Sequence, residues 1–199
     1  MTINSLLQQW QITIPEDTYL FEHLLANKKS NCFFIDKLPL TVSKENSNKF
    51  DQIDVFFQEV LDGKVAKDDF LQIETKYRNV MIKLWLYNKL YVELDMETVN
   101  KNIVNNVIEP QYQNLFASIS DNIQEINIIE ILEKEQVEFW VQMGIRDVAF
   151  PIFYFEDYQL LLAPSWSCYI AYLHDQTKLN NIKNIAMSEG LFIRLPNEI

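Results

Sequence analysis

Four glutamates in one short stretch have the spacing best suited to chemistry. Glu130 and Glu133 stand three residues apart, and so do Glu135 and Glu138. On a helix, residues i and i+3 project from nearly one face, so each pair could hold a divalent cation through two carboxylates. The same side chains, joined by Glu156 and Asp157, could instead form a solvated acidic surface that meets a basic partner. Near them lie Tyr154, Tyr158, Tyr169 and Tyr172, aromatic residues of a type enriched at the energetic centres of protein interfaces.

The metal-dependent alternative has further requirements. Paired E-x-x-E carboxylates are similar to those of helical nucleotide pyrophosphohydrolases, a resemblance that implies a second acidic pair on a facing helix. Glu93, Asp95 and Glu97 are near enough in sequence but lack that spacing, and few bases are at hand to hold phosphate. A thiol or hydroxyl nucleophile needs a base within hydrogen-bond reach. Cys168 and His174, six residues apart on one strand, would be about 20 Å from each other at ~3.3 Å per residue. Ser165 and Ser167 lack the glycine-flanked elbow of hydrolases. Glu22-His23 and His174-Asp175 are adjacent pairs whose side chains diverge, and no C-x-x-C or H-x-x-x-H pair occurs. Gly63, Gly144 and Gly190 are the only glycines, too far apart for a phosphate-cradling loop. No catalytic residue, no metal and no cofactor is expected.

Charge is distributed unevenly. Of the net −11, residues 91–160 contribute thirteen acids against three bases (Lys101, Lys134 and Arg146), or −10. Residues 1–90 and 161–199 are close to neutral. Such a field repels nucleic-acid phosphates and anionic lipid, and it speeds encounter with a basic protein. The bland alternative is an acidic surface that keeps the chain in solution. Cys32 and Cys168 are the only cysteines, and the first residues lack a basic and apolar leader pattern. Free thiols and a cytoplasmic location are therefore expected.

The elements that must position these groups follow from hydrophobic spacing. Val148 to Leu173 is mostly apolar but is interrupted by Glu156-Asp157 and Pro164-Ser165, which predicts a meander of three strands over 148–155, 158–163 and 166–173. Phe70, Ile73, Tyr77, Val80, Met81 and Leu84 repeat at helical spacing, which predicts a helix over about 68–90. Shorter helices are predicted over 4–11, 16–27, 48–62, 97–108 and 176–188, with a strand at 32–35 and another at 191–195. Tyr91 to Glu93 suits a brief strand or a helix extension. The stretch 123–143 fits two periods: Ile126, Ile128 and Ile131 could belong to a strand, whereas Leu132, Gln136, Phe139, Trp140 and Met143 fit a helix. A helix over 128–143 closed by Gly144 is preferred.

The fold expected is α+β, a single domain over 1–199. Its N-terminal two-thirds are mostly helical and are followed by a small antiparallel sheet, the 148–173 meander plus strand 191–195. The function expected is a cytosolic, non-catalytic acidic binding protein, such as an immunity protein or antitoxin that neutralises a basic toxin. A nucleotide pyrophosphohydrolase-like hydrolase and a structural or regulatory adaptor are the alternatives. The partner is a basic protein, with no nucleic acid and no membrane.

Overall fold

Runs of β-branched and aromatic residues pair side by side to make most of the core. The computed structural model describes residues 3–15, 18–40, 44–46, 57–94, 99, 107–122, 127–165 and 168–196. In chain order the elements are α1 (Ile3–Gln9), α2 (Leu20–Asn27), β1 (Cys32–Asp36), α3 (Phe57–Leu61), α4 (Lys67–Trp85), β2 (Leu90–Leu94), α5 (Gln113–Asn122), β3 (Asn127–Ile131), α6 (Lys134–Ile145), β4 (Ile152–Phe155), β5 (Leu160–Ser165), β6 (Cys168–Leu173), α7 (Leu179–Ser188) and β7 (Phe192–Arg194). The strands form one antiparallel sheet in the order β3-β2-β4-β5-β6-β1-β7.

The α+β class holds, but the expected order of helices first and a small sheet afterwards does not. Among the described residues, strands are interleaved with helices from β1 onward, and the meander β4–β5–β6 is only the middle of a seven-stranded sheet. The reason lies in pairings between segments far apart in sequence. β1 is inserted between β6 and β7, and β2 pairs with both β3 and β4. β2 shows strict alternation, with Leu90, Val92 and Leu94 buried and Tyr91 and Glu93 half-buried.

The helix preferred over 128–143 is also corrected. Residues 127–131 are a strand, and the helix begins after Glu133. A capping box fixes that start: Gln136 Oε1 accepts the Glu133 amide at 3.1 Å, while the Glu133 side chain accepts from the third helical amide. Three isoleucines in five residues favour the extended state before it. The first meander strand starts at Ile152 rather than 148, because the Val148 and Ala149 amides are both held by the Met143 carbonyl. Pro164 lies inside β5 instead of ending it. Its pair is Tyr169, and β4 no longer runs alongside at that point, so the missing amide leaves no gap in the ladder. α2 begins at Leu20, later than expected. The 97–108 helix and the start of the 48–62 helix fall mostly outside the described residues.

Helices cover both faces. One face carries Phe33, Ile35, Leu90, Val92, Phe153, Phe155, Leu160, Leu162 and Tyr169, and it packs on Tyr77, Met81 and Leu84 of α4, Phe139 and Trp140 of α6 and Ile182 of α7. α6 approaches closely because residue 144 is glycine: a Cβ there would sit 3.1 Å from Pro164 Cγ. The other face carries Cys32, Tyr154, Leu161 and Tyr172 beneath Leu6, Leu7 and Trp10 of α1 and Leu24 of α2. Among the described residues no helix is long and apolar enough to cross a membrane.

Candidate functional site

Register decides which acids meet. Tyr91 stands opposite Glu130 on β3 and Tyr154 on β4, while Glu93 stands opposite Ile128 and Ile152. Alternation places all of these on the face that α1 and α2 cover. Those two helices pack chiefly over β4, β5, β6 and β1. Coverage thins toward β2 and β3, where Tyr91, Glu93, Ile128 and Ile152 are half-buried and Glu130 is exposed.

At one end of these strands the β4–β5 turn completes an acidic rim. Gln159, at a φ of 52°, lets the chain reverse, and the turn is clamped to the loop between α4 and β2. The Glu156 amide donates to the Lys89 carbonyl at 3.0 Å, Asp157 Oδ2 accepts the Lys89 amide at 2.9 Å, and Asn88 Oδ1 accepts the Tyr158 amide at 2.8 Å. Asn88 is itself fixed by donating to the Leu84 carbonyl at 2.7 Å. The Tyr91 hydroxyl donates to Glu156 Oε2 at 3.5 Å. Partial desolvation raises the pKa of that hydroxyl, and the negative charges of Glu156, Glu130 and Asp157 raise it further. Three carboxylates from the middle and the C-terminal end of the −10 segment therefore act on a phenol at its start.

The other sequence-selected residues divide between rim, scaffold and core. Glu133 and Glu135 are exposed at the start of α6, Glu133 as its cap. Glu130 and Glu133 thus lie on a strand and a helix cap, and cannot share a helical face as an E-x-x-E pair would require. Glu138 is half-buried and already engaged by Lys134 at 3.1 Å, by Arg78 at 3.9 Å and by the Tyr112 hydroxyl at 3.0 Å. Among the described residues no three His, Cys, Asp or Glu side chains are grouped so as to hold a metal ion. Tyr158 is half-buried beside the rim. Tyr154, Tyr169 and Tyr172 are core residues, at most 1% exposed, because both faces of the meander are covered. They offer no contact surface. The Tyr172 hydroxyl lies 3.3 Å from His174 Nδ1, whereas those of Tyr154 and Tyr169 have no hydrogen-bond partner among the described residues.

Sequence reasoning missed a buried ionic cluster. Arg146, the residue that caps the C-terminus of α6, places Nε 3.0 Å and Nη2 3.1 Å from the two oxygens of Glu74 on α4. It also donates to the Val107 carbonyl at 2.6 Å and to Glu109 at 3.1 Å, and its guanidinium lies over the Phe57 ring at 4.8 Å. Gln142 adds a 3.4 Å contact to Glu74. One signal was legible: Glu74 is the single carboxylate on the apolar stripe of α4, between Phe70 and Tyr77, and a buried charge requires a partner. A second pair, Asp36 with Arg194 at 2.8 Å, ties β7 to β1, with Arg194 stacked on Phe34.

The fold is thus an α+β architecture of seven antiparallel strands with helices on both faces and an acidic rim at the β3–β2–β4 end. No protein-family model matches the chain, and no curated protein or solved structure is significantly similar to it.

Proposed function

We propose that this chain is a cytoplasmic, non-catalytic binding protein that captures a basic protein, in the manner of an immunity protein or antitoxin directed at a basic toxin such as a nuclease. The observation that carries the proposal is the gathering of Glu130, Glu156 and Asp157 around Tyr91, on a sheet face the helices only half cover. Among the described residues none of these three carboxylates is held in an ion pair. Of the three bases in residues 91–160, Lys134 is engaged by Glu138 and Arg146 is buried against Glu74 and Glu109. Lys101 lies outside the described residues. Exposed apolar side chains flank the rim: Leu86 and Tyr87 on the loop that clamps the turn, and Leu132 next to β3. Apolar anchors beside uncompensated charge suit a protein interface, in which charge steers encounter and apolar contact holds the complex. A nuclease needs a basic cleft to hold phosphate, so an acidic plug is complementary to it.

The test is retention of partners on the immobilised chain, comparing wild type with a Glu130→Lys, Glu156→Lys variant of unchanged melting temperature. The proposal expects a basic protein retained by wild type and lost from the variant. Retention of acidic proteins, or equal retention by both forms, would overturn it.

A further inference from the structure

Among the described residues, β3 is an edge strand of the sheet, directly beside the acidic rim. Because the Glu156 amide donates to the Lys89 carbonyl, Lys89 and Glu156 are a hydrogen-bonded pair. Antiparallel ladders alternate, so β2 bonds β4 through Lys89, Tyr91 and Glu93 and bonds β3 through Leu90, Val92 and Leu94. The β3 partners of the latter three are Ile131, Ile129 and Asn127. It follows that the amides and carbonyls of Ile128 and Glu130 point away from the sheet, and among the described residues no group bonds them. One step further on, the Leu132 amide is satisfied by Gln136 Oε1 at 2.9 Å, which closes the edge at that end.

We propose that this edge accepts a β-strand of the basic partner, one in which lysine or arginine alternates with apolar residues. The inference rests on the binding reading above and specifies how the partner docks. An added strand gains main-chain hydrogen bonds from Ile128 and Glu130, while its alternate side chains fall on the two faces of the sheet. On one face they meet Ile128 and the exposed carboxylate of Glu130, with Glu156 and Asp157 beyond, so cations are favoured there. On the other they meet Ile129, which packs against the main core, so apolar side chains are favoured. An acidic strand, including β3 of a second copy, brings like charge to the same rim.

The probe is a short peptide alternating lysine and valine, compared at low ionic strength with the same peptide N-methylated on the amides that would face β3. Methylation keeps the charge and removes the strand hydrogen bonds. The expected result is slowed hydrogen exchange at the Ile128 and Glu130 amides with the unmethylated peptide. Affinity should be about tenfold weaker for the methylated one, the equivalent of one or two backbone hydrogen bonds. Ile128→Pro removes an outward amide without touching a β2 bond and should give a similar loss. Equal binding of both peptides, with both amides still exchanging freely, would overturn strand addition while leaving capture by charge intact. Failure of both peptides to bind would overturn both readings.

Discussion

Replacing Arg146 by Met should be among the most damaging single changes to the fold. The guanidinium supplies both oxygens of Glu74 with partners, at 3.0 and 3.1 Å, and satisfies the Val107 carbonyl. The two side chains of the pair are only 3% and 4% exposed. Without Arg146, the Glu74 carboxylate retains, among the described residues, the Gln142 amide at 3.4 Å, and the Val107 carbonyl is left without that donor in a buried position. Removing one member of a buried pair costs about 3–5 kcal/mol, mostly the desolvation of the charge left behind. Urea unfolding reports this directly. With a slope of about 1–3 kcal/mol per molar, the midpoint should fall by about 1 M or more. The paired variant Arg146→Met with Glu74→Leu should recover more than half of the loss, because no buried charge then remains. A single-variant shift of only a few tenths molar, or a paired variant as unstable as the single one, would refute the reasoning.

Three further outcomes are expected. Leu84→Ala, at a position 0% exposed on the buried face of α4, should cost about 2–5 kcal/mol through lost burial and a cavity, read as a lowered denaturation midpoint. Tyr154→Phe should be neutral or stabilising in the same assay, since its buried hydroxyl has no hydrogen-bond partner among the described residues. Burial pushes the Cys32 thiol up to about 11 and the Cys168 thiol up to about 12. The unfolded chain releases those protons near the ordinary thiol value of about 8.5 while the folded chain keeps them. Stability should therefore fall as pH rises from about 8.5 toward those values, and Cys32→Ala with Cys168→Ala should flatten the decline in urea midpoint.

Local pattern made some of the architecture legible and left the rest to long-range pairing. The meander, helix α4 and the final strand each carry their period within a few residues, and each is found near its expected place. β3 was misread because Ile126 to Ile131 satisfies the helical and extended periods equally well. Only pairing with Val92 and its neighbours, more than thirty residues earlier, selects the strand. The same distance problem hid the site. The −10 segment was visible as a composition, but which carboxylates converge depends on the register of β2 with β3 and β4, and on a turn clamped by Asn88. The tyrosines were misjudged for a related reason. Nothing local to residues 154–172 reveals that α1 and α2, from the start of the chain, cover Tyr154 and Tyr172, or that α4 covers Tyr169 on the opposite face.

The most direct test of capture by the acidic rim is the association rate of the retained basic partner, measured at about 0.01 M and 0.15 M ionic strength, where the Debye length falls from roughly 30 to 8 Å. Glu130→Lys with Glu156→Lys should slow association markedly at low salt. Glu45→Lys with Asp68→Lys, an equal charge change at exposed positions outside residues 91–160, should leave it close to wild type. Rates that ignore salt, or that fall alike in both variants, would contradict a site located at this rim.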